Sequence, residues 1–272
     1  MADPQLQNQI AAARAYEALH VPALFGQWAT PVLEAVGVKP GYRVLDVACG
    51  TGVLGRTALA KVGNGGSVAG IDPDPGMIAV ASELTPAADW RLGLAEDLPY
   101  PDAAFDTVVS QFGMMFFQDR ERAVREMLRV VPEGGSVAVA VWDGLDNTEA
   151  YPEAVDLFQR MAGRDAANAL QAPFVLGDAD ALAKLFDDAG AASVDVTTRR
   201  GTARFPSVRA MVEADLRGWL PVMGVVLDED LIQAILDEAE DELDAYVKAD
   251  GTVAFDVPAH IVTGTRGPGG GI

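Results

Sequence analysis

Residues 43–55 read Arg43-Val-Leu-Asp46-Val-Ala48-Cys49-Gly50-Thr-Gly52-Val-Leu-Gly55. A short apolar run carrying one acid breaks into a glycine-punctuated turn, and an apolar helical stretch follows. Such a run is the pattern of a strand buried on both faces of a parallel sheet. Glycine in the turn lets the backbone approach a ligand where a Cβ would collide. Asp46 then stands at the carboxyl end of the strand, the edge at which open α/β sheets bind ligands. A dinucleotide loop would read Gly-x-Gly-x-x-Gly and seat a pyrophosphate on a helix N-terminus. Here an acid precedes Gly50 by four residues, and no Lys or Arg lies between Asp46 and Gly55. That arrangement suits a ligand with a cationic or hydroxyl-rich part.

The flanking chain has the rhythm of a doubly wound sheet. Helical spacing is expected over 5–19, with a second helix over about 23–36 that Gly37 and Pro40-Gly41 close. Strands are expected at 43–48, 67–72, 89–94, 105–111 and 136–142, with helices at 53–61, 75–84 and 119–131 among them. Beyond Trp142 the rhythm changes. Residues 148–170 and 207–248 read as helical and acidic, 178–190 as a helix covering the sheet, and 193–199 and 259–265 as strands. The glycine-rich end, 267–272, is expected to be disordered.

Asp46-Val-Ala48-Cys49-Gly50-Thr-Gly52 resembles the nucleotide loop of class I S-adenosylmethionine (SAM) methyltransferases, whose pattern is acid-x-Gly-x-Gly-x-Gly. Ala48 stands where that pattern has its first glycine. Asp72 closes the second strand 26 residues after Asp46, at the point where doubly wound folds place a carboxylate on ribose hydroxyls. The alternative for Asp72 is a helix N-cap helped by Pro73. Gly93-Leu94-Ala95-Glu96 resembles the adenine segment, with Leu94 in place of the usual Asp, so that Ala95 through its N–H and Glu96 through its carboxylate become the candidates there. The resemblance covers roughly 40–142, and 178–200 more loosely. It is to the small-molecule, quinone-biosynthesis-like group, and it implies a Rossmann-like seven-stranded sheet with an antiparallel last strand, plus a helical cap. The implied organisation is N-terminal helices covering the site (1–36), a SAM-binding core (37–145), cap insertions (146–177 and 206–250), and the remainder of the sheet domain (178–205 and 251–266). The implied cofactor-binding residues are Asp46, Ala48, Gly50, Gly52, Asp72, Pro73, Ala95, Glu96 and Gln111, the last holding the methionine amino group through its side-chain carbonyl. The implied reaction moves a methyl group in line from SAM to an O, C or N acceptor and leaves S-adenosylhomocysteine.

On the acceptor side the sequence is thinner. Ser110-Gln111-Phe112-Gly-Met-Met115-Phe-Phe117 follows the fourth strand, and Phe112, Met115 and Trp142 are the candidate pocket walls for an apolar or aromatic molecule. Tyr16 and His20 lie four apart on one face of the first helix. With His260 they are the candidates for orienting or deprotonating an acceptor. Each histidine equally suits a buried structural role. The lone cysteine, Cys49, reads as packing, since no histidine or asparagine accompanies it. One Cys and two distant His point to no metal site.

The 272 residues carry a formal charge of −20. Nucleic acids and anionic membranes require clustered cations, so neither is an expected partner. No apolar run reaches the roughly 18 residues of a membrane span, and Met1-Ala-Asp-Pro-Gln5 has no leader-like pattern. A cytoplasmic location and a small-molecule partner are the expectation, with monomer and homodimer both open. Two other readings stand beside methyl transfer: a SAM-binding enzyme of other chemistry, and a non-enzymatic interaction protein on the same fold.

Overall fold

The computed structural model describes residues 4–268, so most of the glycine-rich end lies outside the described residues. Seven strands form the main sheet: β1 (Arg43–Val47), β2 (Ser67–Asp72), β3 (Asp89–Leu92), β4 (Thr107–Gln111), β5 (Ser136–Trp142), β6 (Ala191–Arg199) and β9 (Ala259–Arg266). Their spatial order is β3-β2-β1-β4-β5-β9-β6. β1 to β5 run parallel, and β9 is antiparallel to both of its neighbours. β1 and β5 are buried along almost their whole length, as expected of strands covered on both faces. The order reverses between β1 and β4, which opens a crevice at the carboxyl ends of β2, β1 and β4.

Crossover helices follow the strands. α3 (Val53–Val62) and α4 (Pro75–Leu84) lead toward β3, whereas α5 (Arg120–Arg129) leads the opposite way toward β5. Right-handed crossovers therefore put α3 and α4 on one face and α5 on the other. α2 (Ala29–Ala35) packs beside α3, and α8 (Ala179–Asp188) beside α5. α1 (Pro4–His20) lies along α4. Their approach is close at Gly76, where a Cβ would stand 2.4 Å from the Gln9 backbone.

The helices outside the sheet's crossovers, in the segments expected to form a cap, are α6 (Tyr151–Met161), α7 (Arg164–Gln171), α9 (Val208–Glu213), a π-helical turn (Ala214–Trp219), the single-turn α10 (Leu220–Val222) and α11 (Glu229–Glu242). α11 packs on both α6 and α9. Among the described residues no helix is long and apolar enough to cross a membrane.

Three expectations need correction, and one pairing was not anticipated. The helix expected over 23–36 is three pieces: a π-turn at Val21–Phe25, a 3₁₀ turn at Gly26–Trp28, and only then α2. Pro22 lacks the N–H that regular helix would use. The third strand spans only Asp89–Leu92, two residues short of the expected end, and its last ladder bond runs from the Gly93 N–H to the Asp72 carbonyl at 3.1 Å. The helical stretch expected over 207–248 is interrupted near Gly224 (φ +80°), and Asp228 caps a new start. Finally, β7 (Thr202–Phe205) and β8 (Val253–Asp256) form a separate antiparallel ribbon. Each is four residues long and its partner is some fifty residues away, so local patterning carried no signal for the pair.

Candidate active site

The three crevice strands each end in one candidate side chain. Asp46 is buried near the end of β1, and its Oδ2 accepts the Gly55 N–H at 2.8 Å. Its Oδ1 is buried with no partner. Burial, with a smaller push from Asp72, raises this carboxyl to about 8. Asp72 ends β2. Its Oδ2 accepts the Gly50 N–H at 2.9 Å, and its Oδ1 accepts the Asp74 N–H at 3.0 Å. Burial shifts it upward as well. The helix cap is Asp74, which accepts from the Gly76 and Met77 N–H groups. Asp72 is thus free of the capping role, and a carboxylate holding two loop amides still has lone pairs to offer. Gln111 ends β4. Its Nε2 donates to the Phe25 carbonyl at 3.0 Å, and its Oε1 is buried with no partner.

The glycine loop divides its labour. Gly50 is left-handed (φ +54°), and a Cβ there would meet nothing within 4 Å, so this is the residue with open space before it. Gly52 and Gly55 are small for another reason. A Cβ on them would come within 2.8 and 2.6 Å of the Trp90 ring, and one on Gly70 within 2.3 Å. These glycines form the seat of an indole from β3, a packing role that the motif alone does not reveal. Ala48 is left-handed too (φ +57°), and its methyl is accommodated because residue 113 is glycine: a Cβ there would lie 2.4 Å away. Pro73 is exposed at the turn into α4, and Ala95 is buried beside the loop after β3. Glu96 accepts the Gln118 and Asp119 N–H groups through Oε1, so its carboxylate ties that loop to the start of α5.

α1 meets the glycine loop as well as α4. Glu17 accepts from the Thr51 hydroxyl at 2.5 Å and pairs with Arg56 at 2.6 Å, which fastens the helix to the glycine loop itself. Tyr16 stacks on His20 and on Phe25, with ring centroids 5.5 and 5.3 Å apart. Burial, then the charges of Asp72, Glu17 and Asp46, raise the Tyr16 phenol far above its ordinary range. His20 has a buried Nδ1 with no partner, and burial lowers its pKa. Phe25 continues into an aromatic wall: Phe112 and Trp142 stack at 3.8 Å, and Trp28 meets both edge-on. Met115 is buried, whereas Phe116 is exposed and meets Trp219 at 5.1 Å.

His260 stands apart from this constellation. Its Nδ1 is 2.8 Å from the Thr198 hydroxyl, its Nε2 is 3.0 Å from the Gly177 carbonyl, and Asp143 lies 3.2 Å away. With both nitrogens engaged and the ring buried, it holds β6, β9 and the 177 turn together. Those contacts give it a structural role, the alternative that the sequence left open for each histidine. Cys49 is buried, its thiol pushed well up by burial. Glu17 and Phe25 are contributors that sequence reasoning missed, and Arg56 meets them as the partner of Glu17. They come together only when α1 folds back over the loop, and their spacing carries no motif.

The crevice therefore offers two buried, unpartnered acceptors, Asp46 Oδ1 and Gln111 Oε1, beside Asp72 and Glu17. That donor-poor, acid-rich set fits a ligand bearing positive charge and hydroxyl groups. The sheet order and the helices flanking it are those of the Rossmann-like methyltransferase fold. Residues 45–139 match the family model described as a methyltransferase domain. It is 39% identical over 115 residues to a demethylmenaquinone methyltransferase of Renibacterium salmoninarum, covering 42% of this chain and 47% of that one. It is 34% identical over 152 residues to a ubiquinone/menaquinone biosynthesis C-methyltransferase of Laribacter hongkongensis, covering 51% and 61%. The chain thus spans about half the length of the curated relatives it matches. Among solved structures, the YcgJ protein of Bacillus subtilis superposes with TM-score 0.57 at 18% identity, over 89% of this chain and 99% of that one. Phosphoethanolamine N-methyltransferase 2 of Haemonchus contortus, in complex with phosphomonomethylethanolamine and S-adenosylhomocysteine, does so with TM-score 0.60 at 16% identity, over 95% and 57%. At such identities the structural likeness speaks for the fold alone.

Proposed function

We propose that this chain binds SAM in the crevice at the ends of β2, β1 and β4 and methylates a small, apolar or aromatic molecule held under the cap. The observation that carries this reading is the pair of buried acceptors without partners, Asp46 Oδ1 and Gln111 Oε1, at the ends of adjacent strands. Unpaired buried acceptors are costly, and a ligand ammonium would satisfy both. Asp72 would accept from ribose hydroxyls, the Ala95 N–H would meet the adenine ring, and Gly50 would let the backbone approach. Glu96 acts indirectly, by holding the adenine loop against α5.

SAM, when bound, supplies a methyl carbon made electrophilic by its sulfonium. The protein's own part is alignment and exclusion of water. α1, fastened by Glu17, shuts the crevice, and Tyr16 and Phe25 wall it. Phe112, Trp142 and Met115 form an apolar face against which a flat acceptor can lie. His20, kept neutral by burial, is the candidate to receive an acceptor proton at Nδ1. The quinone-type acceptors of the bacterial relatives suit such a pocket. The acid-rich surroundings disfavour an anionic acceptor.

Calorimetric titration with SAM and S-adenosylhomocysteine tests the donor half. Micromolar binding of both, lost in Asp72→Ala, is expected. A folded protein that binds neither would sink the reading in favour of an interaction role.

A further inference from the structure

The strand order β3-β2-β1-β4 fixes which way an extended ligand lies in the crevice. With its cationic part at Asp46 and Gln111, on β1 and β4, and its hydroxyls at Asp72, on β2, the rest of the molecule reaches β3. Leu92 is the register partner of Asp72, so the two side chains rise on one face of the sheet a strand spacing of about 4.8 Å apart. The chain beyond Leu92 is pressed onto β2. The Gly93 N–H donates to the Asp72 carbonyl at 3.1 Å, and a Cβ on Gly93 would stand 2.4 Å from the Ile71 side chain. Leu94 comes next. Leu92 is 57% exposed and Leu94 51%, so two open leucines stand at the β3 end of the crevice, just past Asp72.

The polar groups around them are committed elsewhere. Glu96 Oε1 accepts the Gln118 and Asp119 N–H groups at 2.8 and 3.3 Å, just before α5. Asp89 is paired with Arg91 at 2.6 Å, and Asp74 caps α4. The Leu94 carbonyl accepts the Asp97 N–H at 3.4 Å. Asp97, exposed, is the remaining acid of this turn. We infer that Leu94 makes the nucleobase end of the site blind to the amino group of adenine. The base is held by apolar contact with Leu92 and Leu94 and by the Ala95 N–H, and no side-chain acceptor meets its exocyclic amine. This rests on the SAM-binding reading above. A purine face suits two leucines otherwise left open to water. An amine beside a half-exposed leucine keeps its water, so removing it changes binding little. A carboxylate at this place would hold the amine by a charge-assisted hydrogen bond, and removing the amine would then cost about tenfold or more in affinity.

The test is calorimetric titration with S-adenosylhomocysteine and with its analogue carrying unsubstituted purine in place of adenine. Both keep the ring nitrogens to which the Ala95 N–H can donate, and they differ only in the amine. The parent is expected to bind the two within about threefold of each other. Leu94→Asp is expected to prefer the adenine compound by about tenfold or more, and Leu94→Asn, with a neutral acceptor, by about two- to tenfold. Because Leu94 is half exposed, both variants should melt within about 2 °C of the parent. Leu92→Ser should weaken both compounds alike, by about threefold or more. A parent preference for adenine above about threefold would overturn the inference, and its loss in Asp97→Asn would name Asp97 as the acceptor instead. No gain of preference in either folded Leu94 variant, or an unchanged affinity in Leu92→Ser, would overturn it as well. Binding of neither compound by the parent would instead overturn the SAM-binding reading, and this inference with it.

Discussion

Asp46 makes the ligand-free protein's stability depend on pH with a sign opposite to that of most acids. Its carboxyl is raised from the ordinary 3.8 to about 8 in the folded chain. Between those values the folded state holds a proton that the unfolded state has released. Stability therefore falls as pH rises through this window, with a slope of about 1.4 kcal/mol per pH unit. From pH 5 to pH 7 the loss attributable to Asp46 is about 2.7 kcal/mol. Asp46→Asn keeps an acceptor for the Gly55 N–H but cannot titrate, so its stability should lack this component. Urea unfolding of both proteins at pH 5 and pH 7 checks it. The parent should lose about 2–3 kcal/mol more than the variant over that interval. The contribution is fully present below the unfolded pKa and gone above about pH 8. Equal losses in the two proteins, within about 0.5 kcal/mol, would refute the claim that an unpaired, proton-bearing acid sits under the glycine loop. A bound ammonium should reverse the preference, because it favours the charged carboxylate. SAM binding is then expected to release a proton near neutral pH, visible as buffer-dependent heats of binding.

Three further outcomes follow from the geometry. Gly70→Ala drives a methyl into the Trp90 ring and should cost about 1–3 kcal/mol or more. Gly50→Ala, with open space but a left-handed backbone, should cost only about 1–2 kcal/mol while weakening S-adenosylhomocysteine binding. Thermal melts give the ranking, and the reverse order would refute the indole seat. Glu17→Gln should loosen α1 by about 1–2 kcal/mol and speed amide hydrogen exchange over residues 4–20 by roughly 5- to 30-fold. Unchanged exchange would mean that Glu17 is no latch. His260→Ala strands the Thr198 hydroxyl and leaves a buried gap, so it should destabilise by about 2–4 kcal/mol with S-adenosylhomocysteine affinity intact. A stable variant with lost binding would return His260 to the site.

The run Arg43–Gly55 was enough to announce a buried parallel strand ending at a ligand edge, because burial on two faces and a left-handed turn each leave local marks. The strand–helix alternation up to Trp142, and the acids Asp46 and Asp72 at strand ends, were legible for the same reason. So was the position of Gln111 at the end of the fourth strand. Other features needed the folded chain. Nothing in sequence distinguishes Gly50, which faces open space, from Gly52 and Gly55, which seat Trp90, since the indole arrives from a strand 35 residues on. Ala48 is tolerated because Gly113 lies opposite it, a pairing that exists only once β1 and β4 align. Glu17 reaches Arg56 and Thr51 only when α1 returns over the loop, and His260 resolves into a structural residue only when β6 and the 177 turn supply its partners. Local pattern reports what a residue's neighbours in sequence require. Whether a buried polar atom is paired or left waiting depends on long-range contacts, and only the tertiary structure decides it.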